Sequence, residues 1–411
     1  MENKKGKLGS RLAGSEAFLS VAASLICIVI GLLLGLVVLA IINAEHAFGD
    51  GLMVILQSGF KSPRNMGTVL ANAAPLIMTG LSVGFAFKTG LFNIGAAGQY
   101  TLGAFGALYC AIVLQWPWYL CLLAAMLFGA LWGALPGIFK AYLNINEVIT
   151  AIMFNWIGLY MVNDIMYGKG KSPMYDLAST KTYSLRKAAP QAMIPSLGMS
   201  ELFGKLQSVT IAIFIAIFFA IIVYIILNKT AFGYELRACG FNKNAARYAG
   251  INEKRNIILT LAIGGALAGL GASLLYQTGY EQWQCTYSSV PSMGFNGIAA
   301  AFLGGLSPIG SIFASFFIQH ITSGGAYVDK SLYCSQISDL ITAIIIYMCG
   351  FVLFLKTAMN NSAARREERQ RLAAESADTA PEAAPASESE QGAGTAPAQA
   401  PADSEKGGEA Q

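Results

Sequence analysis

The sequence predicts an all-α polytopic membrane protein with about ten transmembrane crossings. Three observations carry that prediction. Of 411 residues, 55% are hydrophobic and only 12% are charged, half the roughly 25% charge of a soluble globular chain. Mean hydropathy is +0.53. The charges also cluster: residues 17–44, 65–87, 89–139, 206–228, 256–280 and 282–328 contain none. A helix rises about 1.5 Å per residue, so about 20 apolar residues cross a roughly 30 Å hydrocarbon core. Several runs are long enough to cross once and two long enough to cross twice. A soluble enzyme and a nucleic-acid binder are thereby excluded as readings of the whole chain. The net charge of +4 is too small to specify a partner.

The N-terminal segment 1–16 carries Lys4, Lys5, Lys7 and Arg11 and leads into the first span, about 18–42. A cleavable signal has an apolar stretch of only about 7–15 residues, so this run reads as an uncleaved span. A second span follows at 66–87. The long run 89–139 divides at Gln115-Trp116-Pro117, where proline and an interfacial tryptophan mark a turn, giving spans 92–114 and 117–139. A fifth covers 146–166. After a loop, 167–205, come spans at 207–228 and 257–277, a short element at 293–304, and spans at 308–326 and 336–355. The 293–304 element is too short to cross alone and reads as half of a broken helix, split near Gly304–Pro308. The transmembrane region is thus expected over 17–356, and ten crossings divided five and five give halves of opposite topology, an inverted repeat. A short internal echo supports the repeat: Phe92-Asn93-Ile94-Gly95 against Phe295-Asn296-Gly297-Ile298.

Lys and Arg set the orientation. With the N-terminus inside, the inner segments hold 17 basic residues and the outer segments 9, so both termini are expected in the cytoplasm. The six basic residues of loop 167–205 oppose that bias. The tail, 357–411, turns from an Arg-rich start to Ala, Glu, Ser, Pro and Gly without an aromatic. Such a composition buries too little apolar surface to offset ordering entropy, and the tail is expected to be disordered.

What the runs lack limits the energy source. They contain no Asp or Glu; Glu147, Asp164 and Asp339 fall near span ends. An ion-coupled carrier generally keeps an ionisable group at mid-membrane, so that class and a stand-alone channel are the weaker readings. HExxH does not occur, and an intramembrane hydrolase is disfavoured. Gly168-Lys169-Gly170-Lys171-Ser172 is no phosphate loop, because the first glycine would fall at Ile165. Seven cysteines without CxxC spacing and two histidines, His46 and His320, supply no metal or haem signature, so no cofactor is expected. Cys285 and Cys334 share the predicted outer side, as a disulfide or as two free thiols.

The most informative polar segment is loop 229–256. Asn242 can cap a helix over Lys243–Ala249 and Gly250 can end it left-handed, leaving a short surface helix with Ala245, Ala246 and Ala249 as a small-residue face. Such a helix could fit a groove in a cytosolic partner. An ordinary basic inner loop is the plainer alternative.

The stretch Glu235-Leu-Arg-Ala-x-Gly-x-Asn-x-x-Ala-Ala-x-Tyr-Ala-Gly-Ile-Asn252 resembles the coupling loop of ABC-importer permeases of the nucleoside, simple-sugar and branched-chain amino-acid branch. Gly90-Leu-Phe-Asn-Ile-Gly-Ala-Ala-Gly-Gln99 is similar to that family's GxFNIGxEGQ stretch, with Ala97 where many relatives carry Glu. Gly294 to Gly310 (GFNGIAAAFLGGLSPIG) is similar to its GxxGIAVALLGxxxPxG pattern. The three lie in family order over 90–310, nearest to nucleoside (guanosine-type) permeases.

The resemblance implies a permease subunit of the bacterial cytoplasmic membrane, not itself an enzyme. It would work with a cytosolic ABC ATPase, a second permease that is often a different chain, and an extracytoplasmic substrate-binding lipoprotein. Nucleosides are the expected cargo, with simple sugars or branched-chain amino acids as the alternative. Arg237, Gly240, Asn242, Ala245, Ala246 and Gly250 are then expected to form the ATPase-facing coupling element, so that Ala246→Asp would place a charge in the docking groove. It would pass motion to spans 207–228 and 257–277. Asn93, Gln99, Asn155, Trp156 and Asn296 are the polar or aromatic candidates for the translocation pathway. Against that stands a structural role, with the amides satisfying loose backbone groups and Trp156 facing lipid or core.

Overall fold

A helix stands at each of the ten predicted span positions in the computed structural model, which describes residues 16–286, 288–334, 336–352, 354–362, 365 and 368. These helices are α1 (Glu16–Ile42), α2 (Pro63–Lys88), α3 (Ala96–Ile112), α4 (Trp118–Leu143), α5 (Glu147–Tyr167), α6 (Ala212–Lys229), α9 (Glu253–Tyr276), α10 (Ser292–Leu303), α11 (Pro308–Gly324) and α12 (Ile337–Cys349). Between α6 and α9 lie two shorter helices, α7 (Ala231–Phe241) and α8 (Lys243–Tyr248). Six of these are long and apolar enough to cross a membrane among the described residues: α1, α2, α4, α5, α6 and α9. The expected disordered tail, 357–411, falls almost wholly outside the described residues, although 354–362 are helical; the N-terminal segment 1–15 also lies outside them.

Capping residues explain where these helices begin. Ser62, Asn146 and Asn252 each accept a bond from a backbone N–H of the first turn of α2, α5 and α9. The span expected from residue 92 starts as a helix only at Ala96, because Gly90 takes φ +79° and Leu91 N–H returns to Ala86 O, closing α2 and forcing a turn. The span expected from 207 starts at Ala212, its first turn given over to a loop in which Ile211 N–H bonds Pro195 O. The split near Gly304–Pro308 is present: Gly305 and Leu306 both have positive φ, and Leu306 N–H closes α10 on Ala301 O. The two halves of the internal echo differ locally. Residues 92–95 form a turn and 295–298 lie inside α10.

The core lies around α2 and α9. In α2, 83% of the apolar window is buried, in α9 67%, and in α1 only 22%, so α1 stands at the periphery. Glycines let α9 approach its neighbours backbone to backbone. On α4, Gly129, Gly133 and Gly137 recur every four residues. A Cβ on Gly129 would lie 2.2 Å from Gly265 O, one on Gly133 2.3 Å from Leu261 O, and one on Gly137 3.0 Å from Ile258 Cα. Gly103 of α3 meets Gly269 of α9 in the same way.

Loop 167–205 is folded. A two-stranded ribbon pairs Tyr175–Asp176 with Lys181–Thr182 and continues to Gln284. Trp283, 0% exposed, donates its indole N–H to Asn163 Oδ1 at 2.8 Å, and its main chain exchanges bonds with Thr182. Gln277 clamps the other end through Trp118 O and Ala192 O. Trp283→Ala is expected to cost about 3–5 kcal/mol, seen as a lower Tm of the detergent-solubilised protein; an unchanged Tm would show that the loop is held by other contacts. Cys285, half-buried, and Cys334, exposed, are free thiols, and burial pushes the Cys285 thiol up to about 11.

Candidate functional site

Loop 229–256 is built as two helices joined at a single capping residue. Thr230 starts α7 by accepting from Gly233 N–H at 3.0 Å, and Gly233 seats α7 on the end of α6, where a Cβ would lie 2.0 Å from Ile226 O. Leu236 is buried among α2, α6 and α9. Arg237 is half-buried and its Nε–H reaches back to Gly233 O at 3.4 Å. Gly240 lies on the turn after α2: a Cβ there would be 2.7 Å from the Thr89 carbonyl carbon and 2.8 Å from Gly90 N.

Asn242 ends α7 and begins α8, its Oδ1 accepting from Asn244 and Ala245 N–H at 3.1 Å each. Gly250, at φ +82°, ends the element, with Gly250 N–H on Arg247 O and Ile251 N–H on Ala246 O. Lys243 pairs with Glu253 at 3.6 Å, tying α8 to the start of α9. The three alanines do not share a face. Ala245 and Ala246 are consecutive, about 100° apart around a helix, and Ala246 points inward at 4% exposure while Ala245 and Ala249 are exposed. Outward stand two aromatics that the small-residue pattern concealed, Phe241 at 92% exposure and Tyr248 at 94%. Their signal in the sequence was an aromatic at each end of a capped helix flanked by charged residues.

Three of the predicted pathway residues converge. Asn93 and Gln99 exchange two amide bonds at 2.8 and 2.9 Å, and Asn93 Nδ2–H also donates to Ser82 Oγ at 2.9 Å. Asn155 Oδ1 accepts from Gly98 N–H at 2.7 Å, and its Nδ2–H donates to Ile94 O at 3.1 Å. All three side chains are buried, and α9's Gly264 and α4's Gly133 face the Asn93 and Gln99 amides. This joint fastens the Thr89–Gly95 connector to α2, α3 and α5 at once. Ser82 was not singled out in the sequence, although it stands in the stretch Gly80-Leu-Ser-Val-Gly84 inside the apolar run.

The other two candidates lie apart from the joint. Trp156 is 40% exposed and stacks on Tyr160, ring centroids 6.0 Å apart. Asn296 is half-buried on α10, beside Gly297, which abuts Thr79. Asn155→Leu is expected to leave Gly98 N–H and Ile94 O buried without partners. Each unsatisfied group costs about 1–3 kcal/mol, so thermal stability should fall clearly. A wild-type Tm would place the support of this joint elsewhere.

Between the connector and the loop helices lies a cavity of about 180 Å³, lined by Thr89, Gly90 and Leu91 on one side and Leu236, Cys239 and Lys243 on the other. Asn256 lines it too and donates to Cys239 Sγ at 3.5 Å. Two ion pairs border it, Lys140–Glu147 at 2.8 Å and Lys243–Glu253. Among the described residues no group of three His, Cys, Asp or Glu side chains could hold a metal ion.

Residues 65–350 match the family model described as the branched-chain amino acid transport system / permease component. The chain belongs to that family. It is a multi-pass membrane permease, in agreement with the six apolar helices. The family's relatives include the nucleoside ABC transporter permease protein NupB of Lactococcus lactis, 34% identical over 82% of this chain and 93% of NupB. The guanosine ABC transporter permease protein NupP of Bacillus subtilis is 33% identical over 78% of this chain and 90% of NupP. The glucose ABC transporter permease protein TsgB13 of Haloferax volcanii is 27% identical over 80% and 87%. No solved structure matches this permease.

Proposed function

We propose that this permease forms half of the translocation pathway of an ABC importer for nucleosides. The observation that carries the cargo is its likeness to NupB and NupP over about four-fifths of the chain. The matched region contains the whole of loop 229–256 and the buried amide joint. A separate cytosolic ATPase supplies the work by gripping α8, a rigid, doubly capped element that can carry a push to the attached α6 and α9. Arg237, Gly240, Asn242, Ala245, Ala246 and Gly250 build that element, with Ala246 serving as its inward anchor.

Both termini face the cytoplasm in this reading, and the ten helices make ten passages, with α3, α10, α11 and α12 shorter than a full bilayer path. Two halves of five follow, α1–α5 against α6 and α9–α12. In support, the second helices of the halves, α2 and α9, form the centre, and the third ones, α3 and α10, touch where a Cβ on Gly294 would meet Ala97. The folded loop 167–205 then lies outside, where a binding lipoprotein would dock, and a second, different permease completes the pathway. Asn93, Gln99 and Asn155 support its wall, with Asn296 and Trp156 at other points of it.

The test is uptake in a transporter-deficient bacterial strain expressing the full set of subunits. Labelled guanosine should accumulate, dependent on ATP and on this chain. Import of glucose or leucine but no nucleoside would overturn the cargo, and accumulation by this chain alone under an ion gradient would overturn the mechanism.

A further inference from the structure

Motion of the α7–α8 element reaches the helices joined to it by the chain, α6 and α9. The structure offers a second route, to helices far away in sequence. At Gly240 the backbone of α7 rests directly on the backbone of the Thr89–Gly95 connector. A Cβ on Gly240 would lie 2.7 Å from the Thr89 carbonyl carbon, and one on Gly90 would lie 2.5 Å from Gly240 Cα. No side chain stands between them, so the contact has no rotamer freedom with which to absorb a displacement. The connector's far end is fastened to three helices, through Asn93 to Ser82 of α2 and Gln99 of α3, and through Asn155 of α5 to Ile94 O and Gly98 N–H.

Beside the contact lies the cavity of about 180 Å³ between Thr89–Leu91 and Leu236–Lys243. A close-packed interior resists movement; here open space lies between the connector and α7 beside their contact, so the two can shift relative to one another around it. We propose that Gly240 and Gly90 form the hand-off point through which the ATPase-driven movement of α7–α8 is delivered to α3 and α5, with the Asn93–Gln99–Asn155 joint as receiver. Gly240 is thus a positioning residue acting through the connector. The proposal rests on the reading of α8 as the ATPase-docking element.

The experiment uses the complete importer in proteoliposomes, with wild-type chain, Gly240→Ala and Ala245→Arg, and reads solute imported per ATP hydrolysed. Amide hydrogen exchange at residues 89–95 is measured in the wild-type complex with and without vanadate-trapped nucleotide. Expected are a nucleotide-dependent change in protection over 89–95 and a fall in the Gly240→Ala ratio by roughly tenfold, inside the roughly 5–150-fold range of typical coupling energies. If Gly240→Ala does not assemble, the wild-type exchange measurement decides alone, and unchanged protection overturns the proposal. Loss of ATPase binding in Ala245→Arg together with wild-type coupling in Gly240→Ala overturns the hand-off and leaves docking at α8 standing. Normal pumping by Ala245→Arg overturns the docking reading and the hand-off with it.

Discussion

Ala245→Arg is expected to reduce uptake to background while the permease still inserts and folds. Ala245 is exposed on α8, between Phe241 and Tyr248. Its backbone N–H is held by Asn242 Oδ1, a bond that a new side chain does not touch. Arginine is a good helix former, so the six-residue helix and its two caps should survive. In a docked groove the guanidinium would be buried without a partner, at a cost of several kcal/mol, which lowers ATPase affinity by about two orders of magnitude or more. Co-purification of the ATPase through a tag on this chain measures the effect directly, beside labelled-nucleoside uptake. Retained co-purification and uptake would move the docking surface away from α8. Ala246→Asp is a different experiment from the one the sequence suggested. Ala246 is buried within the loop's own structure, so a carboxylate there should unseat α8 rather than clash with a partner, and its first symptom should be a lower Tm.

That difference marks where sequence reasoning stops. Hydropathy located a helix at every predicted span, because charge exclusion acts residue by residue and needs no knowledge of neighbours. The caps of α8 were legible for the same reason: Asn242 and Gly250 act on backbone groups within three residues of themselves. Which way Ala246 points depends on what α8 packs against, and that is not local. Nor is the amide joint. Asn93, Gln99 and Asn155 were each visible as polar islands, but their hydrogen bonds join a turn, α3 and α5 across as many as 61 positions, and Ser82 was not singled out. The turn at 90–95 was legible only in part: a break was expected over 88–91, but 92–95 were read as helix, since an apolar sequence looks the same whether it winds or turns. The fold of loop 167–205 was hidden differently: its tryptophan, Trp283, lies about a hundred positions from Thr182, to which it bonds.

Gly129→Leu should prevent the permease from folding, and this is the largest stability effect expected in the molecule. A Cβ at this position would stand 2.2 Å from Gly265 O and 3.0 Å from Gly269 Cα, both backbone atoms of α9. No side-chain adjustment relieves such a clash; α4 and α9 must separate by an ångström or so. Overpacking a core with extra methylenes commonly costs about 1–3 kcal/mol, but here the neighbours are helix backbones, and separation would loosen the entire crossing. Gly133, one turn along, meets Leu261 O at 2.3 Å, and Gly265 meets Gly129 O at 2.1 Å, so the same crossing is tight from both sides. Any separation also reaches the amide joint, where Gly133 lies 3.2 Å from Gln99 Nε2 and Gly264 lies 3.0 Å from Asn93 Nδ2, each measured from a built Cβ. Gly129→Ala therefore serves as the graded case, folded but with a lower Tm and weaker transport, while Gly129→Leu yields no monodisperse protein by size-exclusion chromatography. A monodisperse leucine variant with wild-type Tm would mean that α4 and α9 do not cross at Gly129. The joint's stability would then have to come from α2, α3 and α5 alone.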